Sequence, residues 1–157
     1  MKAISLIQPW ASLAALGLKE WETRSWYSNY RGLLAIHASK RAPSYAREFF
    51  EEAFYGFGPL TENPYESFDD LPRGAIIAVA RLADVVPTEE LCPPGRRGRL
   101  SERERMYGDF SPGRYAWLLA DVVRLAAPVP CRGNFGLWDA PPELRDLSWS
   151  FARNGDG

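Results

Sequence analysis

Lys19, Glu22 and Arg24 put three charged groups into one six-residue stretch, Lys19-Glu20-Trp21-Glu22-Thr23-Arg24. On an extended strand side chains repeat every two residues, so Glu22 and Arg24 share one face and Trp21 and Thr23 the other. A carboxylate beside a guanidinium holds it in one pose through paired hydrogen bonds. An arginine fixed in this way suits a phosphate or the carbonyl edge of a base. Lys19 suits an anion, or acts as a general base where burial lowers its pKa. The same three residues also make an ordinary structural ion pair with a solvated lysine, and spacing alone divides evenly between the two readings.

Other residues with chemical reach lie nearby in the chain. Trp10, Trp21, Trp26, Trp117 and Trp138 offer flat surfaces for a base, worth roughly 1–3 kcal/mol per stacked base. A small domain needs most such side chains in its core, which leaves at most two for a cleft. Trp10 and Trp117 are the candidates. Gln8 precedes a helix start and either meets a base edge or caps its own helix. His37 is the sole histidine. Its ordinary pKa suits a general base, although a lone histidine in an apolar run (LLAIHAS) is more often a satisfied structural residue. Arg41 adds a candidate phosphate contact. Asp109 reads as a turn residue before a cleft acid.

The charge balance limits the partner. Nineteen Lys and Arg against twenty Asp and Glu give a net charge of −1 and a pI near 5.9. A protein that coats duplex nucleic acid through many phosphates is usually strongly basic. The balance is local, however. Arg31, Lys40, Arg41 and Arg47 stand in residues 28–47 without an acid, while residues 48–70 hold seven acids and no base. Residues 96–105 hold five Arg against Glu102 and Glu104. Solvated faces explain such runs, and so does a short anionic ligand.

Several chemistries are excluded. Two cysteines, Cys92 and Cys131, make neither a disulfide framework nor an all-cysteine zinc site, and one histidine rules out any two-imidazole scheme. No GxSxG elbow, no GxxxxGK[ST] loop and no dinucleotide fingerprint is present. No metal and no cofactor are expected. No window approaches the roughly 20 apolar residues that span a bilayer, and Gln8-Pro9-Trp10 interrupts the first apolar run too soon for a secretory signal. The expectation is a cytoplasmic protein that makes no membrane contact.

The elements that must position these residues are short. Ala3–Ile7 predicts a strand, and residues 9–16 a helix with Pro9 in its first turn and Gly17 at its C-terminal cap. Strands follow over Lys19–Trp26 and Leu33–Ala38, then a helix from Pro43-Ser44 to Tyr55, stopped by Gly56, Gly58 and Pro59. Residues 58–74 predict a loop and Ala75–Ala83 a buried strand. Residues 87–99 predict a second loop and residues 100–107 a short charged helix. Arg114–Leu125 reads as a strand stopped by Pro128 and Pro130, and Asn134–Trp138 as a last short one. The pattern is α+β without sustained βα alternation, a small mixed β-barrel with two or three short helices and long loops. One domain covers residues 1–149, with a frayed tail over 150–157.

Gly17-Leu18-Lys19-Glu20-Trp21-Glu22-Thr23-Arg24 fits the pattern GxKxxExR, preceded by Gln8-Pro9-Trp10. It is followed in order by Tyr30-Arg31-Gly32, Ile36-His37-Ala38, Gly74-Ala75-Ile76-Ile77-Ala78, Gly108-Asp109, Gly113-Arg114-Tyr115-Ala116-Trp117 and Gly133-Asn134-Phe135-Gly136-Leu137-Trp138. Over roughly residues 2–142 the chain resembles the ASCH family of PUA-like barrels. The resemblance implies a barrel with a cleft beside GxKxxExR that binds single-stranded RNA, a nucleoside or a nucleotide. One branch of the family looks like amidohydrolases acting on N4-acetylcytidine with a Lys, a Thr and a Glu, and another has been associated with ribonuclease activity. Lys19 matches the Lys of the first branch. The position of its Thr holds Glu22, and Glu102 or Glu104 falls where its Glu comes.

Three functions follow as expectations. The first is an RNA or modified-nucleotide binding module. The second is a small hydrolase with Lys19 as base, Glu22 or Glu104 handling protons and Arg24 steadying an oxyanion. The third is a protein-interaction domain without a ligand.

Overall fold

The computed structural model describes residues 1–55, 65–95 and 98–145. The expected tail, the glycines and proline expected to stop the second helix, and Arg96 and Arg97 of the basic run lie outside these residues. Six strands form one sheet: β1 (Lys2–Leu6), β2 (Trp21–Arg24), β3 (Gly32–Ala38), β4 (Ala75–Pro87), β5 (Tyr115–Pro130) and β6 (Trp138–Asp139), in the order β2-β5-β4-β3-β1-β6. The helices are α1 (Trp10–Ala15), α2 (Ser44–Tyr55), α3 (Thr88–Leu91) and α4 (Glu102–Met106). All neighbouring strands run antiparallel except β1 and β3. No helix among the described residues is long and apolar enough to cross a membrane.

The α+β mixture is as expected, but the barrel is not closed. β2 and β6 stand at opposite edges of the sheet and do not pair with each other. β6 reaches only Lys2 and Ala3 of β1, leaving Ser5 and Leu6 without a strand partner on that side among the described residues. The sheet nevertheless curls, so that Arg24 at the end of β2 reaches Ser5 near the end of β1 (Nη2 to O, 2.8 Å). A seam therefore separates β2 from β1, crossed here by a side chain instead of a ladder.

The core lies under this curl. Ile4, Leu34, Ile36, Ala78, Ala80, Leu82 and Trp117 pack with Ala11 and Ala14 of α1, so the small residues of α1 let it sit close against the sheet. Gly17 adopts φ +72°, and the N–H of Leu18 returns to Leu13 O (2.9 Å), closing α1 where the sequence places its cap. A second cluster joins Leu13 to Ala46, Phe50, Phe68 and Tyr107, docking α2 on the other side of α1.

β4 continues to Pro87, beyond the expected Ala83, and β5 runs past Pro128 and ends at Pro130, the second of the two prolines expected to stop it. The reason is that β2 covers only Tyr115–Leu118 of β5. Further along, β5 has no strand partner on that side among the described residues, and a proline without an N–H is tolerated there. Three register shifts between β4 and β5 absorb the extra residues. The last strand is two residues, Trp138–Asp139. Gly136 at φ +64° turns the chain out of extended geometry, so Asn134–Leu137 is a loop. α3 lies within the expected loop 87–99.

Candidate functional site

The free edge of β2 is covered by the chain that leaves α4. Glu104 is buried, and its carboxylate accepts the N–H of Trp21 (2.9 Å) and of Glu20 (3.2 Å). Further along, Thr23 Oγ1 accepts the N–H of Asp109 (3.2 Å). These contacts satisfy an edge strand that would otherwise present open backbone groups, and they fix the direction in which Glu22 and Arg24 project.

Both side chains face the seam. Glu22 Oε1 accepts the N–H of Thr23 (2.9 Å) and lies 3.9 Å from Arg24 Nε. Arg24 spends Nη2 on Ser5 O, while its Nε is shielded from solvent and has no hydrogen-bond partner. The pair is thus not the bidentate fork that spacing allows. It is an arginine held at one end by a backbone carbonyl, with donor capacity left over.

A cleft of about 1340 Å³ opens over the seam. Its walls combine two kinds of side chain. Arg24, Lys40, Arg41, Arg114 and Arg132 line it against only two acids, Glu22 and Asp109. Asp109 is tied up by Ser111, whose hydroxyl and N–H hold its carboxyl below the ordinary carboxylate range, with Arg114 adding to the effect. The aromatic wall is Trp10 stacked on Phe49 (ring centres 4.8 Å apart, planes at 22°), with Tyr45 tilted 6.2 Å from Trp10. Phe135, wholly exposed, also lines it. Among the described residues the exposed large apolar side chains are Tyr27, Tyr45, Met106 and Phe135, and the last three border this cleft.

The structure distributes the candidate residues unevenly. Trp10, Glu22, Arg24, His37 and Arg41 line the cleft; Gln8, Lys19, Glu104 and Trp117 do not. Lys19 is 1% exposed and its ammonium donates to Trp21 O. A side chain on Gly108 would come within 3.4 Å of Lys19 Nζ, so Gly108, which does line the cleft, covers the lysine. Burial holds the Lys19 pKa below its ordinary value; Glu22 and Glu104 oppose the shift and Arg24 adds to it. Gln8 accepts the N–H of Ser12 and donates to Pro72 O (2.8 Å), both ends of its amide being used internally. Trp117 is fully buried, edge-on to Trp26 (4.8 Å, 82°).

His37 borders the cleft but is satisfied at both nitrogens. Nε2 lies 3.0 Å from Cys131 O, which only accepts, so Nε2 carries the hydrogen and Nδ1 accepts from the Ser5 hydroxyl (3.1 Å). Burial pushes its pKa down, against the opposing pull of the Cys131 carbonyl. Gly133 lies so close that a Cβ would fall 2.5 Å from His37 Cε1. The histidine therefore anchors the loop after β5.

Sequence reasoning named Lys40 only within a basic run open to an anionic ligand, and passed over Tyr107, Arg114, Arg132 and Phe135 as site residues. Tyr107 is 1% exposed, lines the cleft and has a hydroxyl with no partner. For Phe135 a signal was available: an aromatic residue in Gly133-Asn134-Phe135-Gly136 sits where glycines favour a turn over a strand. Among the described residues no group of three His, Cys, Asp or Glu is placed to hold a metal ion, and Cys92 and Cys131 are free thiols.

Comparison with known proteins fits this architecture. The mouse and human proteins named activating signal cointegrator 1 are each 27% identical over 135 residues, covering 86% of this chain. The chain spans only 21% of the length of those relatives. A crystal structure of the ASCH protein of Zymomonas mobilis superposes with a TM-score of 0.53 at 19% identity, covering 90% of this chain and 88% of that one. A single-residue variant of the same protein gives 0.55 at 19% identity, with 93% and 96% covered. The ASCH domain model matches residues 4–123, most of the sequence, and the chain belongs to the ASCH domain family.

Proposed function

We propose that this ASCH domain is a binding module for single-stranded RNA or its nucleotides, acting in the cytoplasm, and that the ligand lies in the cleft over the β1–β2 seam. The observation that carries this reading is the lining: five cations against two acids, interleaved with Trp10, Tyr45, Phe49 and Phe135. Phosphates need the first set and unstacked bases the second. A cleft with so few charges also accords with an overall net charge of −1, since a short single strand asks for fewer phosphate contacts than a duplex. Arg24, held in place through Nη2 on Ser5 O, would supply the fixed cation, and Arg41 a phosphate contact. Lys19 and Glu104 would support from beneath.

The hydrolase reading has less support. Its base would be Lys19, whose lowered pKa suits the role, yet the ammonium is engaged by the Trp21 carbonyl and lies behind Gly108. Incubation with N4-acetylcytidine, read by chromatography, is expected to release no acetate.

The binding test is fluorescence anisotropy with a labelled single-stranded RNA of a few nucleotides and the matching duplex. Wild type should prefer the single strand, and Arg24→Ala should weaken it at least fivefold with the fold intact by circular dichroism. Equal affinity of Arg24→Ala and wild type would remove the assignment.

A further inference from the structure

Phe135 is 100% exposed, an unusual state for a phenylalanine held at the mouth of a cleft by an anchored loop. Its position follows from the sheet register. Ala38, Ala75 and Pro130 lie in one row across β3, β4 and β5. The row continues through the N–H of Gly74 to Ala38 O (2.7 Å) and that of Cys131 to Gly74 O (3.1 Å). The segments Ser39-Lys40-Arg41 and Cys131-Arg132 therefore leave the same end of the sheet, one on each side of Gly74. Lys40 packs against Gly74, where an added Cβ would come within 2.6 Å of its Cε. Following Arg41, the chain enters α2, which carries Tyr45 and Phe49 to the stack with Trp10. Along this path the order is Phe135, then Lys40, Arg41 and Arg132, then the Trp10 wall.

We infer that the cleft has a second base subsite, formed by Phe135, and takes two successive nucleotides of single-stranded RNA: one base on the Trp10 wall, the next on Phe135, and the linking phosphate at Lys40, Arg41 and Arg132. This rests on the RNA-binding reading and extends it. An aromatic face on each side of a group of cations matches the alternation of base and phosphate along a strand. A protein partner would instead ask for a contiguous apolar area, and the neighbours of Phe135 on its loop are Arg132, Gly133, Asn134 and Gly136. The loop is preorganised for the task. His37 holds Cys131 O, and Gly133 is packed too tightly on His37 and Ser5 to admit a side chain.

The test is titration calorimetry of the full chain with adenosine monophosphate and with the dinucleotide ApA carrying a 5′-phosphate. Phe135→Ala removes a side chain that makes no core contact, so the variant should fold as wild type does. It should weaken the dinucleotide at least fivefold and the mononucleotide less than twofold, while Phe135→Trp retains wild-type affinity for both. Arg24→Ala, in contrast, should weaken both ligands. If Phe135→Ala binds the dinucleotide as wild type does while Arg24→Ala loses it, the second subsite is refuted and RNA binding stands. If wild type binds neither ligand, the RNA reading fails and the subsite falls with it.

Discussion

Lys19 and Arg24 come from one short motif and end in opposite environments. Lys19 lies beneath the surface with Glu104, whose carboxylate holds the start of β2 through two backbone N–H groups. Arg24 crosses the seam to β1, lines the cleft and keeps an unpartnered Nε. Both cations look equally available in the sequence. What separates them is the strand edge: the side that meets α4 is closed by backbone hydrogen bonding, and the side that meets β1 is left open. The difference teaches that the front of a charged motif can serve a ligand only if its back is consumed in holding the strand.

The largest effect should come from attacking that back. Glu104→Ala leaves the N–H groups of Trp21 and Glu20 without their acceptor and removes one of the two carboxylates that compensate the buried Lys19 charge. Losses of this kind cost about 2–4 kcal/mol, read as a lowered urea midpoint with an unchanged slope. Glu104→Gln keeps one acceptor oxygen and should fall between. A cost below about 0.5 kcal/mol for the alanine variant, the range of an ordinary surface substitution, would mean that Glu104 is not what holds β2.

Next in size is the contrast in binding. Lys19→Met retains the buried stem and removes the charge. With the fold intact it should leave affinity for single-stranded RNA within twofold of wild type, where Arg24→Ala loses at least fivefold. A fivefold loss is about 1 kcal/mol. Equal losses in the two variants would erase the distinction between back and front, and would return Lys19 to the cleft.

Much of this arrangement was legible beforehand. The helix over 9–16 and its Gly17 cap were readable because a proline, a short apolar stripe and a glycine each demand one local geometry. The alternation of Glu22 and Arg24 was readable because a strand has a fixed period. The open seam was not, since nothing local tells whether β2 pairs with β1 when the sheet curls. The fate of Lys19 was hidden for a related reason, since Gly108, which covers it, is distant in sequence, whereas the role of Gln8 on its own helix was one of the two readings its position offered. Pro128 misled because a proline ends a strand only where its N–H is needed, and β2 leaves that part of β5 unpaired, whereas β5 does end at Pro130.

A smaller signal separates the buried cation from the open one by pH. The folded-state pKa of Lys19 lies below 10.5, chiefly through burial. The unfolded chain therefore binds the Lys19 proton more tightly than the folded one, so the folded state bears a cost that is full below the folded pKa. That cost shrinks as pH rises through the window up to 10.5. Wild type should gain stability over this window relative to Lys19→Met, measured by urea titration at each pH. A difference between the two proteins that stays flat with pH would mean that Lys19 is not desolvated.

The smallest signal concerns the loop that carries Phe135. His37 is held neutral by burial, its Nδ1 accepting from Ser5 and its Nε2–H donating to Cys131 O, with the edge of Trp138 against the ring (5.4 Å, 80°). Its folded-state pKa is below the ordinary 6.5. The cost of protonation is absent above 6.5, grows as pH falls through the window beneath it, and is full below the folded pKa. Protonation also turns Nδ1 into a donor, so the Ser5 hydroxyl must reverse its role while Nε2–H keeps Cys131 O, and the charged ring is relieved of its burial cost only when the loop packed over it through Gly133 opens. Amide exchange over residues 131–136 should therefore quicken as pH drops below 6.5, after correction for the intrinsic rate, while exchange in β4 does not. His37→Gln, which has no titrating ring, should abolish the pH dependence. If the loop exchanges identically in both proteins across this range, the histidine does not secure it, and the rigidity of the Phe135 platform must come from the packing of Gly133 alone.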